Sequence, residues 1–203
     1  MLIDFRQLFP KYGIKPKGVL HVGGNRGEEA PVYLELGIKR QIWIEANPNI
    51  FEQLKATIAN NPEAKAYLFA AGDETKPTVL HESNNGSQSS SILELGTHKI
   101  AHPEVSYIGD IDVPMMRLDS FNFEGCDFLN MDIQGAELLA LKGMGETLHN
   151  FKWAYLEVNK AELYKGCALV EDIDFYLSSF GFQRVETKWC GNTGWGDALY
   201  VKG

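Results

Sequence analysis

Cysteine is scarce in this 203-residue chain: Cys126, Cys167 and Cys190 are odd in number and widely spaced, and no Cys-x-x-Cys pair occurs. A disulfide framework and a structural zinc site are therefore not expected, and the thiols read as free structural side chains. No apolar run is long enough to span a membrane, and the opening MLIDFRQLFPKYGIKPKG lacks the unbroken apolar stretch of a secretory signal. The expectation is a cytoplasmic protein with no membrane partner. Basic charge is also in short supply, with 19 Lys and Arg against 27 Asp and Glu and a formal net charge of -8. Recognition of nucleic acid through its phosphates needs a concentrated basic face, so no nucleic-acid partner is expected. His-Glu-x-x-His, a calcium loop and a dense histidine cluster are all missing, which makes metal independence the expectation.

With 44% hydrophobic and 23% charged residues, the composition suits one globular domain. Residues 1–18 read as an N-terminal extension and residues 19–203 as the domain. Val19 to Gly23 reads as a buried strand, Arg26 to Leu36 as a helix ended by Gly37, and Gln41 to Ala46 as a second strand. Asn47-Pro48 opens a helix with apolar positions at Ile50, Phe51, Leu54 and Ile58, and Ala66 to Ala71 supplies a third strand. Alternation of strand and helix requires crossovers, which predicts a parallel sheet with helices on both faces.

The pattern breaks between residues 74 and 118, which read as an insertion around a site or as a mobile surface loop. It resumes with a strand at Asp127 to Asp132, a helix from about Gly135 to Gly143, a strand at Lys152 to Val158 and a helix from Leu169 to Phe180. Phe182 to Lys188 and Trp195 to Val201 are strand-like. The connection between them, Cys190 to Gly194, is too short for a helix, so these two strands are expected to be antiparallel neighbours.

The turn His21-Val22-Gly23-Gly24-Asn25-Arg26-Gly27-Glu28-Glu29 lies where a first strand meets a first helix. Gly23 and Gly24 allow a sharp bend and a close ligand, and Gly27 allows close packing at the helix start. Helix N–H groups there suit an anionic group, while Glu28 and Glu29 favour a ligand of mixed charge over a pyrophosphate. Glu45 ends the second strand, where its two oxygens can accept both hydroxyls of a ribose. Val22 breaks a full Gly-x-Gly-x-x-Gly, and no Tyr-x-x-x-Lys is present, which makes an NAD-dependent oxidoreductase the second choice.

These residues resemble the FkbM-type S-adenosylmethionine-dependent methyltransferases. The resemblance rests on His21 to Gly27, on Trp43-Ile44-Glu45-Ala46-Asn47-Pro48, and on Met131-Asp132-Ile133-Gln134-Gly135-Ala136-Glu137 continuing to Leu141-Lys142-Gly143. It implies a Rossmann-like methyltransferase fold, a mostly parallel seven-stranded sheet with an antiparallel last strand and helices on both faces. It also implies S-adenosylmethionine as cofactor, with Gly23, Asn25 and Gly27 around its methionine end, Glu45 at the ribose and Asp73 at the adenine edge. His21 and Gly24 complete the candidate cofactor set. His21 departs from the acidic residue usual there, and a neutral imidazole does not replace a carboxylate facing an ammonium group.

Methyl transfer requires alignment of donor and acceptor and loss of the acceptor's proton. Asp132 and Glu157, at the ends of the fourth and fifth strands, are the candidate catalytic carboxylates. Glu137 reads as a brace for the turn at Gly135. The polar stretch from Ser83 to Ser91 offers uncharged donors and acceptors that suit a polyol or sugar, or a cover over the cofactor. Ser89, Ser90, His81 and Trp195 are the candidate acceptor-binding residues, and His81, His98 and His102 are possible bases. The expected activity is O-methylation of a hydroxyl on a small molecule or glycan, and the alternative outside catalysis is a cofactor-binding module.

Overall fold

The computed structural model describes residues 1–203. Seven strands form the main sheet in the order β3-β2-β1-β7-β8-β10-β9. Its centre is β1 (Gly18–Val22), β2 (Arg40–Glu45), β7 (Phe128–Met131) and β8 (Trp153–Asn159), with β3 (Ala64–Leu68) at one edge. All of these pair in parallel. β10 (Trp195–Lys202) runs antiparallel to β8 and to β9 (Phe182–Trp189), so the last strand in sequence is the one reversed strand, placed inside the sheet. The expected hairpin is present.

Residues 1–18 pack onto the domain through the buried side chains of Phe5, Leu8, Phe9 and Ile14. α1 (Phe5–Tyr12) is capped by the Asp4 side chain at its start and by left-handed Gly13 at its end, and it buries Phe5, Leu8 and Phe9. Phe5 stacks on Tyr33 at 5.8 Å and meets Phe128 and Tyr155 edge-on at 5.5 and 5.0 Å. The apolar spacing in FRQLFPKY thus covers one face of the sheet rather than forming an appendage.

α2 is shorter than the sequence suggests, running only from Ala30 to Glu35. Gly27 has φ of +79°, outside the helical region, and delays the helix, so Glu28 and Glu29 precede it. α3 (Pro48–Ile58) begins at the predicted place because the Asn47 side chain accepts from the Asn49 and Ile50 amides. α5 (Glu137–Met144) and α6 (Val170–Ser178) pack against the other face, around Leu129, Leu156 and Ala198.

The predicted third strand divides. Phe69 turns into the core and stacks on Phe121 at 4.7 Å, and β4 (Ala70–Ala71) leaves β3 to pair with β6 (Tyr107–Met116). β6 also pairs antiparallel with β5 (Lys76–Ser83), giving a second sheet in the order β4-β6-β5. Much of 74–118 is therefore a folded hairpin, whose long connection carries the short helix α4 (His98–Ala101).

Candidate functional site

The carboxyl ends of β1, β2, β7 and β8 open into one cavity of about 570 Å³, within the range of about 300–1,000 Å³ usual for small-molecule sites. The connection between β5 and β6 and the segment around Tyr164 complete its walls.

The glycine turn forms the first side. Gly23 has φ of +85°, and a Cβ there would lie 1.8 Å from the Asp132 carbonyl oxygen. Only glycine lets the first strand approach the end of β7 so closely. Both Gly23 and Gly24 donate their amides to the Ile44 carbonyl at 2.9 Å. The Asn25 amide donates to Glu45 Oε2 at 2.8 Å and the Asn47 amide to Glu45 Oε1 at 2.7 Å. Glu45 thus locks the turn to the start of α3, and each of its oxygens keeps a lone pair for a ligand hydroxyl. Burial raises its carboxyl to about 7 despite those backbone donors.

Gly23, Asn25, Glu45 and His21 line the cavity. Gly24 and Gly27 do not: added Cβ atoms would meet Leu54 at 3.1 and 2.9 Å, so these glycines seat the turn on α3. Because α2 starts only at Ala30, its first amides lie beyond the glycine turn, whose Asn25 amide is engaged by Glu45. Asp73 is another departure. Because β4 swings out to β6, Asp73 is carried past the cavity, and its carbonyl accepts from Arg117 Nη1 at 2.6 Å. Phe69, Ala70 and Ala71 line that end instead, an apolar slot beyond Glu45.

His21 is 3% exposed and lies flat on Trp43, with ring centres 4.5 Å apart. Its Nδ1 is 3.2 Å from the Tyr33 hydroxyl, which accepts from Asn130 Nδ2 at 2.8 Å. Burial lowers its pKa to about 3, so the ring is neutral. A carboxylate would be strongly desolvated at this place.

The opposite side is a carboxylate cluster. Ligating atoms of Asp132, Glu137 and Glu157 lie within 4.8 Å of one another. Glu137 Oε1 accepts from the Ile133 and Gly135 amides at 2.9 and 3.2 Å, which is the bracing geometry predicted for it. Gln134 Nε2 donates to both Asp132 Oδ1, at 2.6 Å, and Glu157 Oε2, at 2.9 Å. Burial raises the pKa of each acid, reinforced by Asp197 for Asp132 and by Asp132 for Glu157. The Glu137 carboxyl is held at about 7, again by burial first. Like charges this close oppose simultaneous ionisation, so the cluster favours keeping a proton. Such a pair can take up the proton of a hydroxyl.

Gln134 itself adopts φ of +56°, unusual for a side chain other than glycine, and is fixed from two sides. Ser91 Oγ donates to its carbonyl at 2.8 Å, and the Tyr164 hydroxyl donates to its Oε1. The sequence reading missed Gln134, Tyr164 and Asp197. Gln134 stands inside the quoted Asp132-to-Glu137 segment, whereas no local pattern ties Tyr164 to it. Asp197 faces Glu157 in the β8–β10 register, a relation visible only once that register is known.

Ser89, Ser90 and Trp195 line the cavity. The serines belong to a closed polar network: Ser83 accepts from the Ser89 amide at 3.1 Å, and Ser87 and Ser90 hydroxyls lie 2.7 Å apart. Asn47 Nδ2 donates to Ser87 Oγ at 3.0 Å and ties this loop to α3. His81 is outside the cavity, because its Nδ1 pairs with Asp110 Oδ1 at 2.7 Å on the outer face of the hairpin and its ring stacks on Tyr107. No helix is long and apolar enough to cross a membrane.

Comparison with known proteins agrees with this architecture. The family model described as "Methyltransferase FkbM domain" matches residues 21–184. The 2-O-methyltransferase NoeI of Sinorhizobium fredii is 28% identical over 173 residues, covering 80% of this chain and 71% of that protein. The crystal structure of methyltransferase FkbM from Methylobacillus flagellatus superposes with a TM-score of 0.61 at 16% identity. That match covers 92% of this chain, which spans 44% of the length of the other. Streptococcus pneumoniae Sp1610, solved with S-adenosyl-L-methionine, gives 0.56 at 14% identity, with coverage of 100% of this chain and 74% of that one. These last two likenesses concern the fold. With the family model spanning most of the chain, and with its glycine turn, Glu45 and Asp132 segment meeting in one cavity, the protein belongs to the FkbM methyltransferase family.

Proposed function

We propose that the protein transfers the methyl group of S-adenosylmethionine to a hydroxyl oxygen of a sugar or small polyol. The observation that carries this reading is the single cavity joining Glu45 and the glycine turn to the Asp132–Gln134–Glu157 cluster. The residues fit the cofactor in three respects. The Glu45 oxygens have free lone pairs for two ribose hydroxyls, the Phe69–Ala71 slot suits a flat apolar base, and Gly23 and Asn25 line the cavity on the side where the methionine end would lie.

The bound cofactor supplies an electrophilic methyl group on a sulfonium. Asp132 sits against the cofactor turn, its amide bonded to the Val22 carbonyl at 3.0 Å, so the carboxylate cluster faces the reacting centre. With the cofactor bound, Asp132 or Glu157 would take the proton that the acceptor hydroxyl loses on methylation. Gln134 holds the two carboxyls in register, and the Ser83–Ser91 loop excludes water that would compete for the methyl group. The name of the relative NoeI, a 2-O-methyltransferase, favours oxygen as the acceptor atom. Cys126 and Cys167 are free and buried, which suits a reducing, cytoplasmic setting.

Calorimetry on cofactor-free protein tests the first part: saturable binding of S-adenosylhomocysteine is the expected result, and selective NAD(H) binding overturns it. Transfer of labelled methyl groups to a panel of methyl glycosides tests the second. Asp132→Asn and Glu157→Gln should lower turnover far more than cofactor affinity, and unchanged rates in both remove the carboxylates from the chemistry.

A further inference from the structure

The five histidines occupy distinct environments, and four have settled partners or lie away from the cavity. His21 is bonded to Tyr33 and stacked on Trp43, His81 pairs with Asp110 outside the cavity, and His149 pairs with Glu146 on the surface. His102 lines the cavity rim with its Nδ1 3.5 Å from Glu104 Oε1. His98 differs from all of them. It lines the cavity, is 4% exposed, and its buried Nδ1 has no hydrogen-bond partner.

The backbone holds this ring in place. Amides of Gly96, Thr97 and His98 donate to the carbonyls of Leu163, Glu162 and Leu163 at 2.7, 2.9 and 3.1 Å. A Cβ on Gly96 would lie 2.4 Å from the Glu162 oxygen, so the two segments touch backbone to backbone. The His98 ring then lies 5.3 Å from that of Tyr164, whose hydroxyl donates to Gln134, the residue joining Asp132 and Glu157. Trp195 lines the same cavity.

A histidine tautomer is set by the partner of one ring nitrogen. No protein group does this for His98, so the neutral ring can serve a ligand hydroxyl as donor or acceptor. Burial first and the neighbouring His102 second lower its pKa against the opposing charge of Glu104, which favours the neutral ring. Aromatic faces beside an adaptable polar group suit a sugar ring, which carries apolar C–H faces and a rim of hydroxyls.

We infer that His98 binds a hydroxyl of a pyranose acceptor, holding the sugar beside Tyr164 and Trp195 so that a neighbouring hydroxyl meets Asp132 and Glu157. This assignment rests on the hydroxyl-acceptor reading above and adds to it the acceptor class and a binding residue. His98 positions the acceptor, while the carboxylate pair receives the proton.

The test is initial-rate kinetics with labelled S-adenosylmethionine and a panel of methyl hexopyranosides and methyl 6-deoxyhexopyranosides. His98→Phe keeps an aromatic ring beside Tyr164 but removes both nitrogens. The expected result is a KM for the glycoside raised about tenfold or more, a smaller change in kcat, and unchanged S-adenosylhomocysteine affinity by calorimetry. His98→Gln restores an adaptable donor and acceptor and should recover much of the KM. An unchanged KM in His98→Phe overturns the assignment. Should His98→Phe fail to fold, side-chain ¹⁵N spectra of the wild type loaded with S-adenosylhomocysteine decide the matter: a substrate glycoside must shift the His98 signals, and unmoved signals overturn the assignment. A wild type that binds S-adenosylhomocysteine but neither binds nor methylates any of these glycosides overturns the sugar-acceptor reading as well.

Discussion

Gln134→Leu removes the one side chain that donates to both Asp132 and Glu157, at 2.6 and 2.9 Å. A hydrogen bond to a charged group contributes about 1.5–3 kcal/mol. Losing about one such bond to the charged form of the pair displaces its titration by roughly 1–2 pH units, at about 1.4 kcal/mol each. The sign follows from the physical causes: burial and mutual repulsion raise both acids, and Gln134 opposes that rise. Without the amide the ionised form is harder to reach, so the acidic limb of the rate profile moves to higher pH. Rates of methyl-glycoside methylation measured across pH, with S-adenosylhomocysteine affinity determined at each pH, give the limb directly. Gln134→Gly is the companion variant, since it relieves the φ of +56° while also removing the amide. Both variants should shift the limb alike. A limb displaced by less than about half a unit in both would refute the idea that this amide tunes the pair.

Glu45→Gln should weaken S-adenosylhomocysteine binding about tenfold or more, or about 1.4 kcal/mol. The reason is that the new amide nitrogen must face the backbone N–H of Asn25 or Asn47, both of which need acceptors; equal affinity by calorimetry would remove Glu45 from the clamp. Gly23→Ala places a Cβ 1.8 Å from the Asp132 carbonyl at a φ of +85°. Left-handed strain and displaced backbone together cost about 2–5 kcal/mol, which lowers the melting temperature by roughly 5–15 °C, and an unchanged melting curve would contradict the close approach. Glu137 moves from its ordinary 4.5 to about 7 in the folded protein. The native state therefore keeps a proton that the unfolded chain has released, so this group's stabilisation is full below about 4.5 and is lost as pH rises through about 7. Glu137→Gln should lessen the fall in melting temperature between about pH 5 and pH 8, and an identical fall in wild type and variant would refute the assignment.

Features carried by neighbouring residues were legible in the sequence. Asn47-Pro48 marks the start of α3 because the cap and the proline act within one turn. The short Cys190–Gly194 connection permits only a hairpin, and β9 and β10 form one. Glycines with positive φ also stood out, although sequence alone does not separate Gly23, which meets Asp132, from Gly27, which meets Leu54. What could not be read depended on register or on distant partners. Tyr164 reaches Gln134 across 30 positions, and Asp73 leaves the cavity because Ala70 and Ala71 pair with Met115 and Met116. The packing of α1 is invisible in the sequence because its Phe5 acquires a purpose only against Tyr33, Phe128 and Tyr155. His81 and His98 are chemically alike in the sequence; an acid on the adjacent strand engages one and none engages the other.

The position of β10 between β8 and β9 has a consequence for biosynthesis. Both neighbours are translated before it, so β8 emerges with one edge unpaired and β9 with no partner in the sheet. A growing chain must hold these edges open until Trp195–Lys202 arrives, and open strand edges recruit other chains. Completion of this protein is thus the insertion of a strand into a waiting gap, and the same late event brings Trp195 and Asp197 to the cavity and its carboxylates. Chains halted before residue 195 should be the aggregation-prone species in the cell, with β1, β2, β3, β7 and β8 able to pair and the gap between β8 and β9 still open.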